Sequence, residues 1–153
     1  MSTTPVGFPA TDSRPVHPLH AAVLWGLLGL FCLRVAAQLA AAAGPLYFLP
    51  PFEAWHSGLL PYPALVAAQI AIVALYAWMA RGIGSGRTRP RPGLGRLLLV
   101  LGGVYFAFMA ARLLLGATAL SGSSWWHAPI PSVFHLVLAG FLLVAGHFHA
   151  SKP

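Results

Sequence analysis

Residues 19–43 read LHAAVLWGLLGLFCLRVAAQLAAAA, and Gly44-Pro45 closes this apolar segment. At about 1.5 Å of rise per residue, a helix of this length crosses a bilayer core of about 30 Å. The alanines at its end resemble a signal-peptidase site, but the apolar stretch is too long for a signal peptide and Arg34 interrupts it. The segment is therefore predicted to be a retained transmembrane helix that carries a charge.

The composition places the rest of the chain in the membrane as well. Of the 153 residues, 58% are hydrophobic and only 7% are charged, whereas about a quarter of the residues of a soluble domain are charged. The predicted fold class is an all-α membrane protein with four transmembrane helices in a bundle. The predicted spans are 19–43, 64–81, 97–120 and 132–149, in a transmembrane domain of residues 19–150. Residues 1–18, rich in Pro, Ser and Thr, are predicted to be a flexible cytoplasmic tail.

The basic residues predict how the helices are inserted. With four spans, both termini and the connector 81–96 lie on one side of the membrane. That side holds Arg14, Arg81, Arg87, Arg89, Arg91, Arg96 and Lys152, and the other side has no Lys or Arg outside the spans. The positive-inside rule therefore predicts that the termini and the connector are cytoplasmic. The predicted location is an inner (plasma) membrane of the bacterial type. Within the connector, GIGSG (82–86) is interpreted as a flexible linker, because no strand precedes it as in a nucleotide-binding loop.

The two halves of the chain share a pattern. Each has an arginine-bearing helix, a Trp-His loop, a Pro-x-Pro helix start and then a polar residue. The first half contains Arg34, Trp55-His56, Pro61-Tyr62-Pro63 and Gln69, and the second contains Arg112, Trp126-His127, Pro129-Ile130-Pro131 and His135. A repeat of two spans relates its halves by rotation about the membrane normal. Trp and Pro also cluster at interfacial helix ends without duplication, so two pseudo-repeated hairpins and a chance similarity both stay open.

Polar residues of the spans lie at similar depths. They are Arg34, Gln38, Gln69, Arg112 and His135, all in the middle or outer half of their predicted helices. The outer loops add Glu53, His56 and His127. Because a charge in the membrane core is costly, these groups are expected to face the bundle interior. The predicted site is an outer-facing polar cavity that these side chains line.

Two arginines with few carboxylates indicate an anionic ligand. Guanidinium groups bind carboxylate or phosphate through paired hydrogen bonds, which a low dielectric strengthens. Suitable ligands are a lipid headgroup, an isoprenoid phosphate, a haem propionate or a small carboxylate. The alternative is that Arg34 and Arg112 only hold helices together, through helix-end carbonyls, Gln38, Gln69 and Glu53.

No cofactor is predicted. His135 and His147 have nearly the spacing that lets one helix ligate two stacked haems, but only His20 offers a partner at the inner level. Glu53 and the outer histidines have suitable atoms for a metal, yet no H-x-x-x-H or H-E-x-x-H motif supports such a site. His147-x-His149 is interpreted as two interfacial side chains on opposite helix faces. Haem and metal are both unexpected.

The leading functional prediction is non-catalytic binding, or passage, of an amphipathic anionic ligand of the lipid or isoprenoid type. The alternative is a structural or assembly subunit of a larger membrane complex, in which Gly26, Gly29, Gly102 and Gly103 pack against other helices. A membrane enzyme that uses Glu53 and the outer histidines for acid–base chemistry is a third hypothesis. Membrane lipid and other membrane subunits are the expected partners. Nucleic acid is not, because topology already explains the basic residues.

Overall fold

The computed structural model describes residues 18–44, 47–55, 61–118 and 129–151. They form four α-helices, with no strand in these ranges. The helices are α1 (Pro18–Ala43), α2 (Tyr62–Gly84), α3 (Pro92–Ala117) and α4 (Pro129–Ala150), and a 3-10 helix (Phe52–Trp55) lies between α1 and α2. All four α-helices are long and apolar enough to cross a membrane. The all-α four-helix fold class predicted from the sequence is confirmed.

Neighbouring helices run antiparallel. Gly84 at the end of α2 lies against Ala21 near the start of α1. At the same end of the molecule, the rings of His20 in α1 and His147 in α4 stack with their centroids 5.6 Å apart. We call this the connector end, because residues 85–91 join α2 to α3 there. The opposite end, where α1 and α3 finish and α2 and α4 begin, is the loop end.

The exterior of the bundle is apolar. Leu33, Ile70, Val104 and Leu114 are each more than half exposed in the isolated chain. The most deeply buried side chains include both apolar residues and the amide of Gln38. Lipid favours this arrangement of apolar side chains outside and polar side chains inside. Its hydrocarbon packs against apolar side chains and cannot solvate polar ones. The chain is a multi-pass membrane protein in contact with lipid.

The helix α1 holds the bundle together. It packs on α2 and on α4, and α4 packs most extensively on α3, while α2 has no comparable backbone contact with α3 or α4. The side chain of Tyr76 bridges the gap between α2 and α4. Its ring stacks on Phe141 with the centroids 3.8 Å apart, and its hydroxyl donates to the carbonyl of Leu138 at 3.3 Å. Space remains beside α2 towards both ends of the molecule.

Glycines bring the backbones of α3 and α4 together. A Cβ atom on Gly95 would lie 2.5 Å from the backbone nitrogen of Ala150, and one on Gly146 would lie 2.9 Å from that of Leu99. Small residues allow helices in membranes to approach closely, so that van der Waals packing replaces the hydrophobic effect as the main attraction. The α3–α4 hairpin is therefore packed backbone against backbone.

The small residues proposed for contacts with other subunits fall into two groups. Gly102 lies within the α3–α4 interface, where a Cβ atom would meet Leu142 and Leu143 at 3.1 Å. A Cβ atom on Gly26, Gly29 or Gly103 would meet nothing within 4 Å. Those three glycines lie where lipid or another protein can reach them.

At the connector end the helices extend beyond the predicted spans. α2 continues to Gly84 and α3 already begins at Pro92, where proline is tolerated because the first helical residue needs no amide donor. Arg81 and Arg96 are exposed on these extensions, and long basic side chains reach the headgroup region from there. Where the membrane limits lie within each helix stays a prediction. The predicted tail lies outside the described residues except for Pro18.

The connector itself follows a defined path. Thr88 donates its amide to the carbonyl of Gly82 at 3.1 Å, and Ser85 donates its amide to that of Arg81 at 3.0 Å. Gly86 has a φ of 66°, which a residue with a Cβ atom rarely adopts. GIGSG is thus the end of α2 followed by a hydrogen-bonded turn, which differs from the expected flexible linker because these backbone bonds fold the chain back on the helix.

Candidate functional site

Arg34 lies in the interior of the bundle and is only 7% exposed. Its Nη2 donates to the backbone carbonyl of Trp55 at 2.5 Å. Trp55 belongs to the 3-10 helix, and its own indole Nε1 donates to the carbonyl of Pro50 at 3.1 Å. The loop after α1 therefore folds back into the bundle and offers a carbonyl to the arginine. A carbonyl solvates a guanidinium group but does not neutralise its charge.

The charge of Arg34 has no carboxylate partner in the described residues. Glu53 is the one carboxylate within them; it is exposed on the 3-10 helix and forms no ion pair with Arg34. The Nε atom of Arg34 is buried without a hydrogen-bond partner. Because an unsatisfied buried donor costs free energy, an acceptor placed beside Nε would stabilise this arrangement.

Gln38 and Gln69 join α1 to α2. Gln69 Nε2 donates to Gln38 Oε1 at 3.0 Å, and both side chains are buried. This bond is the helix-to-helix contact that the alternative interpretation of the polar residues predicts. It leaves Gln38 Nε2 and Gln69 Oε1, one donor and one acceptor, buried without partners.

His135 makes the corresponding bond between α4 and α3. Its Nδ1 and the hydroxyl of Tyr105 form a short hydrogen bond. When the hydroxyl donates to Nδ1, the proton of the neutral imidazole lies on Nε2. His135 then presents an N–H donor on the side of its ring away from Tyr105. That donor suits an anion without requiring a third positive charge in the membrane.

Arg112 contributes a second positive charge from α3. It is only 3% exposed, so it lies inside the bundle like Arg34. Neither arginine faces lipid.

A cavity of about 190 Å³ lies in the gap between α2 and α4, with α1 as its floor. Its polar lining comes from Arg34, Gln69 and His135, and its other walls are apolar. From the helix bounds, these three residues lie about 9 to 14 Å from the loop end of their helices. Ala68 on its rim is exposed, so the cavity is not sealed from its surroundings.

The other predicted site residues have different positions. Gln38 does not line the cavity but is bonded to Gln69, which does. Arg112 does not line this cavity. Glu53 lines a separate hollow of about 410 Å³ beside Pro50 and Phe52. His56 and His127 lie outside the described residues.

No metal centre appears in the part of the chain that the structure describes. Within those ranges, no three His, Cys, Asp or Glu side chains are close enough together to hold an ion. His135 and His147 lie at different levels of α4; the first contacts Tyr105 and the second stacks on His20.

Two residues near the cavity are not among the predicted site residues. Trp55, which the sequence offers only as part of a Trp-His loop, is 6% exposed and supplies the carbonyl that Arg34 binds. Tyr76, a single phenol in the middle of an apolar span, was not singled out, although it ties α2 to α4 beside the cavity. A hydroxyl at mid-span is a signal that such a group needs a partner, and it could have identified Tyr76.

The chain was compared with models of protein families, with curated proteins and with solved structures, and none of them matches.

Proposed function

We propose that the cavity between α1, α2 and α4 binds the anionic group of an amphipathic ligand of the lipid or isoprenoid type, without chemical conversion. The observation that carries this proposal is Arg34. It is buried, lacks a carboxylate partner in the described residues and has an unpaired Nε, and it lines an otherwise mostly apolar cavity.

The lining of the cavity has groups suited to both parts of such a ligand. Its apolar walls are formed by Phe31, Leu65, Ile72 and Leu138. A hydrocarbon chain can pack against these walls because neither side has a hydrogen-bonding group that would be left unpaired. Arg34 and His135 line the same cavity, and the Nε–H of the first and the Nε2–H of the second are suitable donors to a phosphate or carboxylate. Hydrogen bonds to a charged group contribute about 1.5 to 3 kcal/mol each.

Holding the helices together explains only part of the arrangement. The Gln38–Gln69 and Arg34–Trp55 bonds connect α1 with α2 and with the loop. Neither bond neutralises the guanidinium charge or uses its Nε. An anion would do both, and this difference favours ligand binding over a purely structural role for Arg34.

We further propose that the protein lies in an inner (plasma) membrane of the bacterial type with its termini in the cytoplasm. The arginines of the connector support this orientation through the positive-inside rule. The cavity then opens in the outer half of the bundle. The stack of Tyr76 on Phe141 lies between the cavity and the connector end, which supports binding from one side rather than passage through the protein.

A pair of ligands that differ only in the anion tests the proposal. The probes are geranylgeranyl phosphate and the neutral alcohol geranylgeraniol, and the measurement is their affinity for the purified full-length protein in mild detergent. The protein is expected to prefer the phosphate, and Arg34→Met is expected to weaken phosphate binding roughly 10- to 100-fold, because one or two charge-assisted bonds are lost.

Arg96→Met is the matched control. It removes one positive charge from an exposed position near the connector end, so it is expected to leave the preference for the phosphate unchanged. Equal affinities of the native protein for the two probes, or an unchanged preference in Arg34→Met, would refute the proposal.

A further inference from the structure

A second cavity, of about 530 Å³, lies at the connector end between α2, the connector and α3. Three arginines of the connector line it, Arg87, Arg89 and Arg91, and His149 of α4 lines it from below. Trp78 and Leu94 belong to its apolar walls. It shares no lining residue with the cavity at Arg34.

The three arginines lie in the segment between α2 and α3. Residues 87–91 are not helical, and Arg91 has the extended dihedral angles φ −133° and ψ 100°. The Nε of Arg87 donates to the hydroxyl of Ser85 at 3.2 Å. Arg87, Arg89 and Arg91 all line this one cavity.

His149 provides a separate sign of a missing partner. It is only 3% exposed, and its Nδ1 is buried without a hydrogen bond. His147, two residues earlier, is exposed on the other side of α4. The two histidines do lie on opposite faces, as expected, but His149 is an interior residue of this cavity and not an interfacial one.

The described chain provides no negative charge here. Its one carboxylate, Glu53, lies at the loop end of the molecule. The start of α3 at Pro92 adds the positive end of a helix dipole, which also favours an anion. The cavity therefore combines several cationic groups, a buried nitrogen without a partner and apolar walls.

We propose that this cavity binds the phosphate headgroup of an anionic phospholipid from the leaflet at the connector end. The arginines and His149 bind the headgroup, and the acyl chains lie along the outer surfaces of α2 and α3. Trp78 fits this position, because it is 74% exposed next to the arginines and tryptophan is enriched where hydrocarbon meets headgroups. The connector thus recognises a specific lipid in addition to any effect of its charge on topology.

Two double variants with the same change of charge test the proposal. The full-length protein is incubated in mild detergent with equal amounts of phosphatidylglycerol and phosphatidylcholine, and native mass spectrometry measures which lipid stays bound. The native protein is expected to retain phosphatidylglycerol. The double variant Arg87→Gln/Arg89→Gln is expected to lower the retention of this lipid about tenfold or more. Arg81→Gln with Arg96→Gln, exposed arginines that do not line the cavity, is expected to change retention by less than about twofold.

A histidine pair provides an independent test if a connector variant does not fold. His149→Leu is expected to lower retention of phosphatidylglycerol, and His147→Leu to leave it unchanged, with the helical circular dichroism of each variant as the control for folding. Arg87→Gln with Arg89→Gln is expected to leave the affinity for geranylgeranyl phosphate unchanged, because neither arginine lines the cavity at Arg34, so failure here and failure of the proposed function are distinguishable.

Two results would overturn the inference. Equal loss of phosphatidylglycerol from both double variants would show diffuse attraction by the net charge instead of a site. Displacement of the lipid by excess inorganic phosphate would show a site for a soluble anion.

Discussion

The two helical hairpins are built on different principles. In α3–α4, Gly95 and Gly146 let the two backbones touch, and little space remains between the helices. In α1–α2, polar side chains make the connection through Gln38 and Gln69, and α2 stands away from α3 and α4. Both cavities adjoin α2. The tightly packed hairpin acts as the scaffold, and the loosely packed α2 borders the two cavities that we propose as binding sites.

The largest effect is expected from filling the closest contact of the scaffold. Gly95→Ala places a methyl group against the backbone of Ala150 and His149, which cannot move without separating the helices. We expect a loss of about 1 to 3 kcal/mol in the free energy of unfolding, measured by SDS titration in bicelles. Gly103→Ala, in the same helix with nothing within 4 Å, is the control. Equal stability of the two variants would show that α3 and α4 do not approach as closely as described.

A smaller effect is expected at the polar connection of α1 and α2. Gln38→Leu leaves the amide of Gln69 buried without its partner, and we expect a loss of about 1 kcal/mol in the free energy of unfolding. The double variant with Gln69→Leu is expected to be less destabilised than the sum of the single variants, because neither polar group is then unpaired. Strict additivity in this double-mutant cycle would contradict the bond between them.

The link between the hairpins is expected to contribute still less. Tyr76→Phe removes the hydroxyl bonded to Leu138 but keeps the stack on Phe141. We expect a loss of about 0.6 kcal/mol in the same unfolding measurement. Tyr47→Phe, at a fully exposed residue of the loop after α1, is the control. A loss larger than that of Gln38→Leu would mean that α2 is held mainly by α4 and not by α1.

The smallest effect is expected on the outer face of α1. Gly26→Ala and Gly29→Ala add methyl groups in open space and are expected to change the free energy of unfolding by less than about 0.5 kcal/mol. These variants also examine the alternative role as a subunit of a larger complex, which stays a prediction. If they release a co-purifying membrane protein, seen by size-exclusion chromatography of gently solubilised membranes, this face of α1 is an interface.

Local patterns in the sequence explain what could be predicted about the site. The depths of Arg34, Gln69 and His135 follow from counting residues along helices, and their burial follows from the cost of exposing polar groups to lipid. The sequence also predicts that Gln38, Arg112, Glu53, His56 and His127 line the same cavity, and this larger site stays a prediction. Arg34, Gln69 and His135 line one cavity, Gln38 is one bond away, and Glu53 faces another hollow. Which of several polar residues meet depends on how each helix is rotated, and hydropathy does not determine that rotation.

The sequence by itself determined four membrane-crossing helices, because apolar length and charge are properties of each segment alone. It also singled out Arg34 as a charge that needs a partner. Only the tertiary structure decided which partners are present: the carbonyl of Trp55 for Arg34, Tyr105 for His135, and a cavity in place of a carboxylate. It also turned the arginines of the connector from a topology signal into the lining of a second cavity. These outcomes depend on the close glycine contacts between α3 and α4 and on the gap beside α2. Both involve residues that are distant in the sequence, so no local pattern encodes them.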